Sequence, residues 1–72
     1  MEDLKIIFAQ NLIMLRKQMK LTQIELAEKI NYSDKAISKW ERGESIPDVS
    51  VLLNLAKLFG VNIDFLVTEH NN

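Results

Sequence analysis

Cysteine is absent from the 72-residue chain, and histidine occurs only once, as His70. Without cysteine the chain cannot form a disulfide, a thiolate zinc site or a thiol nucleophile. Its two glycines, Gly43 and Gly60, are isolated, so there is no glycine-rich phosphate loop. The sequence also lacks a carboxylate pair in a plausible cleft. It therefore predicts no metal, no cofactor and no catalytic residue, and we expect that the protein is not an enzyme.

Long hydrophobic runs are also missing. No apolar stretch approaches the roughly 18 residues of a membrane helix, and Glu2 and Asp3 stand where a signal peptide would carry positive charge. We therefore expect a cytoplasmic protein without a membrane association. A chain this short makes one small domain. The prediction is a single domain over residues 1–72, with a core over about 3–67 and a frayed tail at 68–72.

The small net charge of -1 conceals a separation of charge along the chain. Between residues 16 and 42, seven basic residues stand against four acidic ones, which gives 7 - 4 = +3. The remaining residues carry two basic and six acidic side chains, which gives 2 - 6 = -4. We expect one face that attracts phosphate and another that repels it.

Apolar residues recur at helical spacing, and no segment shows the alternation of a β-strand. Steps of three and four predict a first helix over residues 3–19, capped by Asp3. Its apolar side would consist of Leu4, Ile7, Phe8, Leu12, Leu15 and Met19. Four further helices are predicted to begin at Thr22, Ser33, Asp48 and Asn62, each a residue type that caps helix starts. Their inward residues would be Leu26, Ala27, Ile30, Ile37, Trp40, Val51, Leu52, Leu55, Ala56, Phe59, Ile63 and Leu66. The predicted fold class is all-α with five helices.

Individual residues mark where the predicted helices begin and end. Thr22 and Glu25 have capping-box spacing, and Asn31 tolerates the positive φ that a tight corner needs. Gly43 and Gly60 supply left-handed helix ends. The third helix would extend from Ser33 to about residue 42, with polar side chains opposite Ile37 and Trp40. Such an exposed polar strip suits the major groove of DNA.

In combination these features resemble the helix-turn-helix domain of the phage repressor and Cro type, the XRE family, over about residues 12–67. The resemblance depends on Arg16, Pro47 and the segments 21–23, 25–27, 37–43 and 55–61. It implies a compact, lambda-repressor-like fold with the helix-turn-helix at helices 2 and 3. It also implies a sequence-specific transcriptional regulator, a repressor, that places residues 33–42 in the major groove of double-stranded DNA.

The resemblance assigns roles to individual residues. The candidates for facing bases are Ser33, Asp34, Lys35, Ser38 and Lys39. The candidates for binding phosphate are Gln23, Lys17, Lys20, Tyr32 and Arg42. Arg16 and Glu41 correspond to a structural salt bridge that ties the first helix to the end of the third. Trp40 is expected in the core, in step with Ile37.

Two departures from the family pattern lie near this surface. The corner is Asn31-Tyr32, where glycine and a small apolar residue are commoner, and Tyr32 either buries its ring or contacts a phosphate. The loop 44–46 is less basic than in many relatives, and Glu44 near DNA would weaken binding.

The resemblance further implies a homodimer on DNA and a palindromic operator. The alternative is a helical protein-interaction module that keeps the scaffold without specific DNA binding. Exposed apolar side chains would favour that module or a dimer interface. The candidates for them are Ile24, Ile46, Val49 and residues 63–67.

Overall fold

The structure describes residues 3–70. These residues contain five helices in the predicted order. The structure is a computed structural model. The helices are α1 (Leu4–Gln18), α2 (Gln23–Lys29), α3 (Asp34–Glu41), α4 (Val49–Phe59) and α5 (Ile63–Leu66). Residues 3–70 contain no strand, so the predicted all-α class is confirmed.

Each helix begins with a side-chain cap at the predicted residue. The side chains of these residues accept a hydrogen bond from the backbone N–H two or three positions later, and the five are Asp3, Thr22, Ser33, Asp48 and Asn62. At α2 the capping box is complete, because the Thr22 hydroxyl accepts from the Glu25 N–H and the Glu25 carboxylate accepts from the Thr22 N–H. These bonds satisfy backbone donors that a helix start leaves without partners.

The first four helices end in the same backbone motif. A residue with positive φ follows each one, namely Lys20 (59°), Asn31 (59°), Gly43 (75°) or Gly60 (70°). The next residue donates its N–H to a carbonyl five positions back, as Leu21 does to Arg16 and Tyr32 does to Ala27. This is the Schellman arrangement. The left-handed conformation of Lys20 was not predicted, because lysine carries no sequence signal for it.

The hydrophobic core receives at least one fully buried side chain from every helix. These side chains are Phe8, Leu12, Leu26, Ile37, Leu55 and Leu66. Trp40 is also buried, as predicted. Because all five helices pack on one core, the packing fixes the orientation of α3 relative to the other helices.

Several predicted core positions lie outside the core. Leu4 and Met19 are 48% and 42% exposed, because α1, at about 22 Å, is longer than the helices packed against it. Phe59 is only partly buried. Among the predicted exposed apolar residues, Ile24 and Val49 are exposed. The other candidates for exposure are not exposed: Ile46, Ile63, Phe65 and Val67 pack against the core, and Leu66 is fully buried. The inward position predicted for Ile63 and Leu66 is therefore confirmed.

Asn11 is a buried polar residue that the sequence did not single out for the interior. Its side-chain amide nitrogen donates to the carbonyl oxygens of Phe65 (3.2 Å), Leu66 (2.9 Å) and Thr68 (2.9 Å). The amide thereby satisfies the carbonyls at the end of α5, which a short helix leaves without intrahelical donors. It joins α1 to the last helix.

Residues 68–70 were predicted to belong to a frayed tail, but two of them make defined contacts. The Thr68 hydroxyl donates to the Asp64 carbonyl at 2.6 Å. The His70 ring stacks on Phe65 with ring centroids 3.9 Å apart, and its Nε2 lies 2.8 Å from the Phe65 carbonyl oxygen. The remainder of the predicted tail, Asn71 and Asn72, lies outside the described residues. None of the helices within residues 3–70 has the length and apolar character needed to cross a bilayer.

Candidate nucleic-acid interface

The outward side of α3 carries the predicted base-facing residues. Ser33 caps the helix, and Asp34, Lys35 and Lys39 are exposed, whereas Ser38 is partly buried. Lys35 and Lys39 are one turn apart, so they lie on the same side of the helix. The inner side of α3 is held in the core by Ile37 and Trp40.

A second line of polar residues runs parallel to the two lysines. Asp34, Ser38 and Arg42 are separated by four residues each, and the Arg42 guanidinium donates through Nη1 to the Ser38 hydroxyl. This line offers an acceptor at its start and donors at its end, whereas Lys35 and Lys39 offer donors alone. Together the two lines can bind both the hydrogen-bond donors and the acceptors that base edges present in a major groove.

Glu41, the last residue of α3, is the centre of a hydrogen-bond network. Arg16 donates to both of its carboxylate oxygens, from Nε to Oε2 at 2.6 Å and from Nη2 to Oε1 at 3.0 Å. Arg16 also donates from Nη1 to the Leu21 carbonyl at 2.8 Å. The two side chains are 13% and 6% exposed, and the bonds to Glu41 raise the pKa of Arg16 above its ordinary value. The expected salt bridge between α1 and α3 is therefore present.

Gln23, a candidate phosphate ligand, is a third member of this network. Its amide nitrogen donates to Glu41 Oε1 at 3.0 Å. The sequence did not predict this bond, since the two residues are eighteen positions apart and neither carries a signal for the other. The contact fixes the first residue of α2 relative to the last residue of α3, and one N–H of the Gln23 amide is left for another acceptor.

The other predicted phosphate ligands differ in their surroundings. Lys17 is exposed in the last turn of α1, and Lys20 is exposed at the left-handed position that follows it. Tyr32 is half-exposed, and its ring lies 5.2 Å from that of Trp40, tilted by 41°. Its ring is thus neither fully buried nor free. The ring packs on the core tryptophan while about half of the residue reaches solvent, and a contact of Tyr32 with phosphate stays a prediction.

Arg42 forms an ion pair with Glu44, two residues further along. Arg42 Nε donates to Glu44 Oε2 at 2.7 Å, and Nη2 lies 3.4 Å from Oε1. The two side chains are 53% and 50% exposed. The hydrogen bond to Arg42 lowers the pKa of the Glu44 carboxyl, and the charge of Lys39 lowers it further. Arg42 is therefore not a free cation in this structure.

The part of the chain that the structure describes shows neither a pocket nor a metal-binding cluster. No enclosed cavity is present within residues 3–70, and no three His, Asp or Glu side chains there are placed to hold a metal ion. The candidate residues on α2 and α3 therefore form an open surface and do not line a cavity.

Several known proteins of similar sequence are named as transcriptional regulators or repressors. A family model described as helix-turn-helix matches residues 12–66. The uncharacterized HTH-type transcriptional regulator YqaE of Bacillus subtilis (strain 168) is 35% identical over 65 residues, which are 90% of this chain and 56% of YqaE. The immunity repressor protein of Bacillus phage phi105 is 37% identical over 60 residues, 83% of this chain and 42% of the repressor. This chain spans about half the length of these relatives.

Solved structures share the same arrangement of helices. The SOS-response transcriptional repressor LexA from Eubacterium rectale aligns with a TM-score of 0.91 at 28% identity, over 97% of this chain and 74% of that chain. Hydroxypropylphosphonic acid epoxidase from S. wedmorenis aligns with a TM-score of 0.80 at 26% identity, over 89% of this chain but only 34% of the enzyme. The fold thus also occurs as a minor part of an enzyme chain.

The family match covers more than half of the chain, and α2 and α3 lie inside it with the corner at Asn31 between them. The residues that carry the sequence resemblance, from Arg16 to the segment 55–61, also lie inside it. The chain belongs to the helix-turn-helix family of the XRE type, with α2 and α3 as its helix-turn-helix.

Proposed function

We propose that this chain is a sequence-specific DNA-binding transcriptional regulator that places α3 in the major groove. One observation carries the proposal: α3 is fastened to the core by Ile37 and Trp40 and to α1 by the Arg16–Glu41 pair, while its opposite side is polar and bears Lys35 and Lys39. A rigid helix with an exposed polar face fits a major groove about 12 Å wide. Family membership supports the same function.

The roles of the base-facing residues follow from their donors and acceptors. Lys35 and Lys39 can each donate to the O6 and N7 acceptors of guanine. Asp34 accepts from a cytosine amino group or orients a neighbouring lysine, and Ser38 can donate or accept. Ser33 lies at the edge of this surface, at the start of α3, where its hydroxyl accepts a hydrogen bond from the Ala36 N–H.

Phosphate contacts would position α3 on the duplex. Gln23 is held by Glu41 at the start of α2, so its second amide N–H can donate to a phosphate oxygen. Lys17, Lys20 and Arg42 add positive charge, and the Tyr32 hydroxyl adds a neutral donor. These contacts carry no sequence information, but they supply much of the affinity.

The bound form that we propose is a homodimer on a palindromic operator, with half-sites about 34 Å apart. We propose a repressor, as the names of the phi105 and LexA relatives state for those proteins, acting in the cytoplasm without enzymatic activity. If a dimer neutralises about six to eight phosphates, log K falls with log salt with a slope of about -5 to -7.

Selection from a random duplex pool at about 100 mM salt tests the proposal. The wild type should enrich a palindrome, and Lys35→Ala and Lys39→Ala should each relax preference at one position by about 1 to 3 kcal/mol if they contact bases. Lys57→Ala, which removes the same charge from α4, is the matched control and should keep the motif. Uniform weakening on all sequences would assign the lysine to phosphate instead.

A protein-interaction module is the alternative function. Exposed apolar side chains favour it, since Val49 is 64% exposed on α4 and Ile24 is 59% exposed on α2. Recovery of no motif, with binding in the roughly micromolar or weaker range of non-specific contacts, would favour this module over the regulator.

A further inference from the structure

The Arg42–Glu44 pair lies at the C-terminal end of α3, beside the surface assigned to DNA. Arg42 contacts the hydroxyl of Ser38, one of the base-facing candidates, and Glu44 is close enough to Lys39 for that lysine to affect its ionisation. The pair therefore belongs to the same surface as the proposed DNA contacts, and Glu44 is its one member without a role in the proposed function.

The backbone holds Glu44 in this position. Gly43 has a φ of 75°. The Glu44 N–H donates to the Lys39 carbonyl at 3.1 Å, and the Gly43 N–H donates to the Trp40 carbonyl at 3.1 Å. This helix-ending motif turns the chain back on itself, so the residue after the glycine returns to the last turn of α3. The Glu44 carboxylate is thus placed beside Arg42 by the end of the helix and not by a flexible loop.

The atoms that meet in this pair are the ones that a phosphate would use. Arginine binds a carboxylate or a phosphate through the same two parallel N–H donors. In the structure Nε and Nη2 of Arg42 face the two carboxylate oxygens of Glu44. A phosphate of the DNA backbone must displace this carboxylate before it can bind Arg42 through the parallel Nε and Nη2 donors, and the carboxylate itself repels phosphate.

We propose that Glu44 is an affinity-determining residue that occupies the phosphate-binding donors of Arg42 in the free protein and so competes with DNA. The inference depends on the proposed DNA-binding function. It predicts that Glu44 weakens binding chiefly through Arg42, and only to a small extent through the overall charge of the protein. Because both side chains are about half exposed, the competition is moderate.

Fluorescence anisotropy with a labelled mixed-sequence duplex of about 24 base pairs, in about 100 mM salt, tests the proposal, because phosphate contacts do not depend on sequence. Glu44→Gln should bind about three- to tenfold more tightly than the wild type. Asp64→Asn is the matched control, since it removes the same charge from an exposed position of α5 and should change the affinity less than about twofold.

A double-mutant cycle with Arg42→Gln tests whether Glu44 lowers the DNA affinity through Arg42. In the Arg42→Gln background, adding Glu44→Gln should raise the affinity by less than about twofold, because the donors that Glu44 occupies are gone. An equal gain in both backgrounds, or an equal gain from Asp64→Asn, would overturn the inference while leaving DNA binding intact. Absence of binding by every variant would overturn the proposed function and the inference with it. Circular dichroism of each variant verifies that it is folded.

Discussion

At the residue scale, the Arg16–Glu41 pair has a structural role that its charge alone does not reveal. Arg16 lies in the basic part of the chain, yet its guanidinium donates three hydrogen bonds within the protein, two to Glu41 and one to the Leu21 carbonyl. Both side chains are nearly buried. A buried charge that loses its partner remains desolvated without compensation. The pair therefore fixes α3 relative to α1.

Removing one member of this pair should destabilise the fold strongly. We expect Arg16→Met to lower the free energy of unfolding by about 3 kcal/mol, because it leaves the Glu41 carboxylate buried with only Gln23 as a donor. Urea denaturation measures the loss. The double variant Arg16→Met/Glu41→Leu should recover part of it, and Arg42→Met, at the exposed pair, should cost far less. A single variant as stable as the wild type would contradict the assignment.

At the element scale, the helix ends define where each segment stops. The positive-φ residue is glycine after α3 and α4, asparagine after α2 and lysine after α1. Left-handed backbone costs a residue with a Cβ about 1 kcal/mol or more, whereas glycine adopts it freely. The end of α1 is thus strained at Lys20, and it is followed directly by the segment that leads into α2.

Glycine at this position should stabilise the protein. Lys20→Gly is expected to raise the free energy of unfolding by about 1 kcal/mol, since it removes the left-handed strain. Thermal unfolding followed by circular dichroism is the measurement. Lys17→Gly provides the control in the same helix: at this helical position glycine should cost about 1 kcal/mol. A loss of stability in Lys20→Gly would show that the left-handed backbone is not strained there.

The bond between α1 and α5 also belongs to this scale. Asn11→Ala removes the donor that serves three carbonyls at the end of α5, and we expect a loss of about 2 kcal/mol in urea denaturation. Thr68→Val removes an exposed bond from the same segment and should cost about 0.5 kcal/mol or less. Equal losses in the two variants would mean that Asn11 does not anchor the helix.

At the scale of the whole molecule, carboxylates near helix ends make the free energy of unfolding depend on pH. Bonds from Thr22 lower the pKa of Glu25, bonds from Ser50 and Val51 lower that of Asp48, and the bond from Arg42 lowers that of Glu44. Their ordinary values are 4.5 for glutamate and 3.8 for aspartate. Because the pKa values are lower in the folded state, these groups stabilise it at neutral pH.

Stability should therefore decline on acidification. The contribution of each carboxylate is complete above its unfolded pKa and is lost as the pH falls through its folded pKa, so the loss begins near pH 4.5 and continues below it. We expect the urea midpoint to fall between about pH 5 and pH 3. Glu25→Gln should show a shallower decline, and a midpoint that stays constant over this range would contradict the linkage.

Much of the secondary structure could be predicted because its signals are local. Each N-cap bonds a backbone amide two or three residues away, so the sequence around Thr22 or Ser33 contains both partners. The role of Asn11 could not be predicted in this way, because its partners are more than fifty residues away. The same reason hides the Gln23–Glu41 bond. The Arg42–Glu44 pair is close in sequence, but it forms only because Gly43 turns the chain back.

The amino-acid sequence by itself determined the five helices, their caps, the corner at Asn31 and the separation of positive charge into residues 16–42, because each depends on neighbours within a few positions. It also carried the family resemblance that named the candidate DNA contacts. Only the tertiary structure decided which polar groups find partners in distant segments. Burial and long-range hydrogen bonds place Gln23 on Glu41 and Asn11 on α5, and they form the Arg16–Glu41 pair that the resemblance predicted. The physical reason is that desolvation and hydrogen bonding between distant segments arise only when the helices pack together.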